Sequence, residues 1–331
     1  MRTYAVAFLG FGNVATALVR LLESRNVELA ARYGVAWRPT GVATRRLGWW
    51  ANSDGLDLTR PERSATRCYD VGDWLLTARP DVVIETIALD PHTGQPALDY
   101  IGEALRAGAH VVSANKGPIV HGYHSLTSLA ESKGRSYRFE SAVMDGAPVF
   151  SLVRRCLPLA GIQAVSGVFT STATVVLEAV ERGATIEDGI REAQELGIAE
   201  ADPSYDVDGW DSAVKLCAVA TVVLERRVSI ADVRREGIRG VDAMRIRDAK
   251  QRGAPIRLVG RVAIDGDRVS ARVASEEVPA GSALAVSGTT LVTRYDAEVF
   301  PGGLTVTSAG PDLTTTAYGL FTDFLEVIGA S

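Results

Sequence analysis

Short apolar runs alternate with longer stretches of helical period over roughly the first 135 residues. Positions 4–9 form a nearly continuous apolar run, the pattern of a strand covered on both faces, and it ends at Gly10-Phe11-Gly12. Behind that turn Val14, Ala17, Leu18, Leu21 and Leu22 fall on one helical face. The same reading predicts strands over 40–44, 81–86 and 110–113. It predicts helices over 95–106, closed by Gly108, and over 123–133, closed by Gly134. Residues 46–66 are polar, carry Gly and Asn, and read as loop. Strand and helix in alternation are the signature of a doubly wound parallel sheet.

From about residue 136 the rhythm changes. Positions 163–168 are strand-like. Thr185 with Asp188 has the form of a capping box ahead of a helix over 186–196, with Gly197 as its stop. A long apolar helix is predicted over 210–224, then β-rich stretches at 256–264, 268–274, 284–295 and 304–307, and a last amphipathic helix over 315–328. There is no internal repeat and no low-complexity segment. Two domains are expected. The first covers 1–137, joined by a return of about 308–331, and the second covers 138–307.

Composition narrows the function classes. The 331 residues are 47% hydrophobic and 23% charged, as in an ordinary soluble globular protein. A net charge of -5 and a pI near 5.5 argue against nucleic-acid or anionic-membrane partners, which need a basic face. Charges interrupt the apolar stretches too often for a bilayer span, and no apolar run follows a basic start. The expectation is a cytoplasmic protein without leader or anchor. Cys68, Cys156 and Cys217 are far apart and form no CxxC pair, so they read as buried reduced thiols. His92, His110, His121 and His124 read as surface or loop residues, and the basic region of Arg234, Arg235 and 239–252 as a solvated helical face.

Candidate chemistry begins at the first glycine turn. Gly10-Phe11-Gly12-Asn13-Val14-Ala15 fits G-x-G-x-x-[GA] in the required context, directly after a strand and opening a helix. The glycines let a pyrophosphate approach closely, and the helix start offers free N–H groups and a positive dipole end. The second strand leads through Thr44 into Arg45-Arg46 with no acid to bind a ribose 2′-hydroxyl. Two guanidiniums suit a 2′-phosphate, so NADP is preferred, with NAD and a pair of solvated arginines as the open alternatives. Trp49-Trp50 reads either as packing under a loop or as a stacking surface for adenine. Two more segments stand out. Ser113-Ala114-Asn115-Lys116-Gly117-Pro118 follows a strand, where parallel sheets place ligands. In 200–215 five acids precede one lysine, and Asp211 and Lys215 share a helical face. Alone, that second segment also fits an exposed ion pair beside an acidic loop.

Taken together, these motifs resemble homoserine dehydrogenases, collinearly over most of the chain. The resemblance is carried by the turn at Gly10, by 114–118, by Val143-Met144-Asp145-Gly146-Ala147-Pro148 and by Gly197-Ile198-Ala199-Glu200-Ala201-Asp202-Pro203. Asp206, Gly209, Asp211 and Lys215, and Gly310-Pro311 before Thr316-Ala317, add to it. It implies a Rossmann-type α/β domain joined to an α+β catalytic and dimerisation domain in a homodimer. It implies an enzyme that oxidises L-homoserine to L-aspartate 4-semialdehyde with NAD(P)+, reversibly, in threonine, methionine and isoleucine biosynthesis. By resemblance, Lys215 leads in proton transfer, Lys116 shares that work or binds substrate, and Asp211 holds the lysine. Glu200, Asp206 and Thr172 bind substrate. Gly10, Phe11, Gly12, Asn13, Val14, Thr44, Arg45, Arg46, Ser113, Asn115, Lys116 and Gly310 meet the cofactor. A monovalent cation such as sodium is implied near Glu140, Val143 and Asp145. A lysine that acts as a base should have a lowered pKa.

The chain departs from the family pattern at Thr170-Ser171-Thr172-Ala173-Thr174, where both usual asparagines are lost from what is read as a loop. Asp145 stands where glycine is common, and Asp312 and Leu313 replace small residues. These changes put the substrate in question more than the reaction. Two alternatives therefore stand: a relative acting on another small hydroxy acid or amino alcohol, and a catalytically silent NADP-binding protein. Because the chain ends soon after the last helix, the expectation is no C-terminal regulatory domain, no fused kinase and no threonine feedback through such a domain.

Overall fold

The computed structural model describes residues 1–330. The chain divides into two compact units, Met1–Gly146 with the segment from Asp312 onward, and Ala147–Pro311.

The first unit is built on a seven-stranded sheet. Its strands are β1 (Arg2–Leu9), β2 (Val35–Thr44), β3 (Gly48–Ala51), β4 (Thr66–Cys68), β5 (Val82–Glu85), β6 (His110–Ser113) and β7 (Tyr137–Arg138). The order is β4-β3-β2-β1-β5-β6-β7. From β2 through β7 neighbouring strands are parallel. The chain leaves β1 for β2 on one side and later fills β5 to β7 on the other, so the topological switch lies between β1 and β5, where such sheets bind ligands. β3 and β4 are antiparallel additions at the β2 edge, β3 inside the 46–66 stretch expected as loop and β4 starting at its last residue. At four and three residues they are too short to show a period. They are held by their ladder and by Trp74, whose indole Nε1 donates to the Trp50 carbonyl at 3.0 Å.

The core explains why the chain returns here at its end. Tyr4, Val6 and Phe8 of β1 are buried with Leu18 and Leu22 of the Asn13–Ser24 helix, and with Leu320 and Phe324 of the Leu313–Val327 helix. Each such side chain contributes about 1.5–3 kcal/mol by leaving water. The Lys116–Ser132 helix starts seven residues before the expected position 123. Gly117 and Pro118 hide its start in the sequence. Proline is tolerated in a first turn, where its missing N–H would have had no partner, and the Asn115 side chain caps the turn by accepting from the Gly117 N–H at 3.0 Å.

The second unit holds a six-stranded sheet of β8 (Ile162–Val168), β9 (Arg234–Arg235), β10 (Ile256–Asp265), β11 (Arg268–Glu277), β12 (Leu291–Ala297) and β13 (Phe300–Ser308), in the order β13-β12-β8-β10-β11-β9. Only β9 and β11 pair in parallel among these strands. The strand expected over 284–295 shrinks to β12, because Leu284 and Val286 are buried in a small cluster with Val168 and Val259 without joining the ladder. A larger correction is the Ser171–Glu181 helix, which begins inside the stretch read as an altered loop. Its Thr and Val residues are weak helix formers, but Thr172 to Leu177 are all buried, and packing outweighs propensity. The Thr185 capping box forms as expected, with the Asp188 N–H donating to the Thr185 hydroxyl at 3.1 Å. Arg234 and Arg235 form a strand, not a helix. Cys68 and Cys217 are buried, but Cys156 is exposed.

Candidate active site

In the first unit, a cavity of about 460 Å³ opens at the C-terminal ends of β1, β2 and β5, lined by Leu9, Gly10, Thr44, Arg45, Trp49 and the 86–90 segment, among others. Gly10 has φ +87°, and a Cβ there would stand 2.6 Å from the Thr86 carbonyl carbon. The turn can therefore close only on glycine. Gly12 is the reverse case. A Cβ would meet nothing within 4 Å, and no side chain caps the helix that Gly12 opens. An uncapped helix start beside open space suits a pyrophosphate, which can accept from first-turn N–H groups. Asn13 is exposed, Val14 half-buried, and Phe11 packs edge-on to Phe8 at 5.6 Å.

At the end of β2, Arg45 lines the cavity and Arg46 is exposed next to it, while Thr44 Oγ1 accepts from the Leu47 N–H at 2.9 Å. Trp49 also lines the cavity, set edge-on to Trp74 at 5.8 Å and to Tyr100 at 5.3 Å. It is a fixed wall of the pocket, whereas Trp50 turns its indole N–H to the Leu47 carbonyl at 2.8 Å.

Beside the switch point lies a buried polar cluster. Glu85, the last residue of β5, is fully buried. It accepts from the Ser113 hydroxyl at 2.6 Å, the Ile87 N–H at 2.9 Å and Asn115 Nδ2 at 3.3 Å. Burial pushes its carboxyl up to about 7, against the lowering pull of those donors. Lys116, half-buried, is the first residue of the helix that Asn115 caps. Within this unit, then, the cofactor candidates Ser113, Asn115 and Lys116 share one corner.

In the second unit the Trp210–Val223 helix carries the other chemistry. Lys215 Nζ lies 2.8 Å from Asp211 Oδ2 and donates to the Phe169 carbonyl at 2.7 Å, with only 12% and 11% of the two side chains exposed. The pair is thus not the exposed surface bridge that spacing alone allowed. Thr170 Oγ1 reaches Asp211 Oδ2 at 3.3 Å and Ser212 Oγ at 2.9 Å. The Asp211 carboxylate and the Phe169 carbonyl hold the Lys215 nitrogen between two acceptors, which suits a group that exchanges a proton at a fixed point. Thr172 Oγ1 sits 3.0 Å from Asp206 Oδ2 and 2.9 Å from the Ile198 carbonyl, so two substrate candidates are joined directly. Glu200 is exposed, and Gly310, with φ +61°, lies exposed ahead of the last helix. Arg235, expected on a solvated face, instead places its guanidinium 3.6 Å from the Trp210 ring centroid.

Three functional candidates escaped the sequence reading: Glu85, Thr170 and Tyr205. The Tyr205 hydroxyl is buried without a hydrogen-bond partner, and its ionisation is pushed up by burial and then by Asp211 and Asp206. For Glu85 a signal existed, a single acid closing an otherwise apolar strand.

The family model for homoserine dehydrogenase matches residues 148–325, and that for the homoserine dehydrogenase NAD-binding domain matches residues 10–140. The chain belongs to the homoserine dehydrogenase family. It is 30% identical to an NAD(+)-dependent homoserine dehydrogenase of Pseudomonas canavaninivorans, over 99% of this chain and 97% of the relative. A crystal structure described as a homoserine dehydrogenase from Archaeoglobus fulgidus superposes with a TM-score of 0.86 at 30% identity, covering 99% of both chains. A hyperthermophilic archaeal homoserine dehydrogenase in complex with NADPH shares the fold, with a TM-score of 0.83 at 24% identity over 100% of this chain and 99% of that one. Like its family, the chain is an NAD(P)-dependent oxidoreductase with a nicotinamide-binding domain. Among the described residues, no helix is long and apolar enough to cross a membrane.

Proposed function

We propose that the chain interconverts L-homoserine and L-aspartate 4-semialdehyde. The observation that carries this reading is the sequestered Lys215–Asp211 pair. An alcohol oxidised by hydride loss must also shed its hydroxyl proton, and a carbonyl reduced by hydride must gain one. Lys215 is the group that exchanges that proton. In reduction its ammonium donates to the forming alkoxide, and in oxidation the neutral amine accepts from the alcohol. Asp211 and the Phe169 carbonyl hold Nζ in place. Glu200 and Asp206 take the substrate ammonium, with Thr172 orienting Asp206, and Lys116 binds substrate or shares the proton work. The bound nicotinamide supplies or accepts the hydride; the protein supplies orientation and electrostatics.

For the cofactor we favour NADP, on Arg45 in the cavity wall and on the lack of an acid at the end of β2. The Pseudomonas relative is named for NAD(+), so family membership does not decide the point. Arg45→Ala should weaken NADPH binding about tenfold, roughly 1.4 kcal/mol, and leave NADH nearly unchanged. A homodimer, and a monovalent cation near Glu140, Val143 and Asp145, belong to the same reading.

Steady-state oxidation of homoserine by NADP+ and NAD+ at alkaline pH tests the proposal. A protein that binds the cofactor but leaves homoserine untouched would favour the second reading, a dehydrogenase for another small hydroxy acid or amino alcohol. The Thr-rich 170–174 stretch and the buried Tyr205 hydroxyl motivate that alternative.

A further inference from the structure

We propose that Glu85 is a positioning residue of the cofactor pocket, a buried carboxylate that ties the 86–90 wall of the cavity to the Asn115–Lys116 helix start. The inference rests on the reading of that cavity as the nicotinamide cofactor site.

The geometry carries it. Glu85 ends β5 between Leu9 of β1 and Ser113 of β6, at the switch point itself. One oxygen accepts from the Ile87 N–H, the first turn of the segment 86–90 that lines the cavity, and also from Asn115 Nδ2. The other accepts from Ser113 Oγ, which in turn accepts the Asn115 N–H at 3.0 Å. Asn115 then caps the helix whose first residue is Lys116. A single side chain thus fixes two loops that reach the pocket from adjacent strands.

The chemistry is suited to that task. Three donors converge on the group, and an ionised carboxylate is acceptor-only, so it can satisfy all of them at once. Its protonated form, or a glutamine, carries a donor that must turn toward Ser113 and reverse that hydroxyl. The price of the arrangement is a charge buried among neutral donors. One titratable neighbour is Tyr137 on β7, whose hydroxyl is buried and whose ionisation burial and Glu85 push well up, so it stays neutral; Lys116 follows Asn115 at the helix start. Burial raises the Glu85 carboxyl to about 7, and the Ser113, Ile87 and Asn115 donors lower it. The clamp should therefore loosen as the pH falls through neutrality.

The test is the pH dependence of NADPH and NADH binding, followed by nicotinamide fluorescence from pH 5.5 to 9, in the wild type, Glu85→Gln and Ser113→Ala. The expected result is that wild-type affinity falls several-fold below about pH 7. Glu85→Gln should bind at pH 8 as weakly as the wild type does at pH 6. Ser113→Ala, which removes a donor that favours the carboxylate, should move the wild-type midpoint to higher pH. The NADPH 2′-phosphate titrates in the same window, so comparisons across pH are made with NADH, which lacks it, and NADPH is compared between proteins at one pH. Should Glu85→Gln fail to fold, the Ser113→Ala midpoint decides. A Glu85→Gln protein that matches the wild type within twofold at every pH, or an unmoved Ser113→Ala midpoint, would overturn the proposal. A wild type that binds neither NADPH nor NADH would overturn the pocket assignment and the clamp with it. Cofactor binding without homoserine turnover would touch only the substrate assignment.

Discussion

Two buried carboxylates, one in each unit, have been given opposite surroundings. Asp211 lies 2.8 Å from the Lys215 ammonium, one helical turn away, with the Thr170 hydroxyl at 3.3 Å. Glu85 is as deeply placed, but Ser113, Ile87 and Asn115 offer it neutral donors. Attraction to a cation offsets the loss of water at Asp211, whereas hydrogen bonds alone leave Glu85 with a carboxyl raised to about 7. The contrast separates two uses of an acid. One holds a proton-transferring lysine in place, and the other responds to protons itself while organising backbone.

The largest effect should come from breaking the ion pair. Lys215→Ala is expected to lower turnover by about 10²–10⁴-fold while cofactor binding stays within about twofold, as measured by steady-state kinetics and fluorescence titration. Turnover within tenfold of the wild type would remove Lys215 from its assigned role. A buried ionic cluster outside the residues assigned to catalysis provides the control. Arg257, with no exposure, holds Glu181 at 2.7 Å and Glu178 at 3.2 Å, and its Nε donates to the Val286 carbonyl at 2.6 Å. Arg257→Ala should destabilise the fold by up to about 3–5 kcal/mol in urea unfolding, because it removes the buried cation shared by the two acids and leaves Glu181 with Lys250 at 3.0 Å and Glu178 with the Gly288 N–H at 3.0 Å.

Glu85 should show the opposite sign of pH dependence from a paired acid. Its folded pKa lies above the usual carboxylate value, so the folded state holds the proton more tightly than the unfolded chain. Its contribution is full below about pH 4.5 and is lost as pH rises through about 7. Relative to Glu85→Gln, wild-type stability should decline by up to about 3 kcal/mol over that window. Parallel urea midpoints for the two proteins across it would contradict the assignment. The smallest effect is expected from Thr170→Val, which removes one hydroxyl donor from Asp211 and should cost about 1 kcal/mol of stability. A much larger loss would mean that Asp211 depends on Thr170 more than on Lys215.

These groups were legible in the sequence to different degrees. Asp211 and Lys215 could be placed on one helical face because the 3.6-residue period is local. The glycine turn was legible for the same reason, since a strand, a turn and a helix follow one another directly. Glu85 reads in the sequence only as part of an apolar strand, because its partners lie two residues onward, at the end of the next strand and at the helix cap behind it, 28 and 30 positions away. The helix at Ser171 was missed because its β-branched residues disfavour helix locally and only burial reverses that preference. Strands β3 and β4 were missed for want of length.

The amino-acid sequence by itself determined the alternation of strand and helix, the dinucleotide turn, the family and the pairing of Asp211 with Lys215. All of these rest on periodicity or on motifs written in consecutive residues. Tertiary structure alone decided which polar groups lose their water: the sequestration of Lys215, the orphaned Tyr205 hydroxyl and the raised carboxyl of Glu85. Desolvation depends on every element packed around a group, and that neighbourhood is assembled from distant parts of the chain.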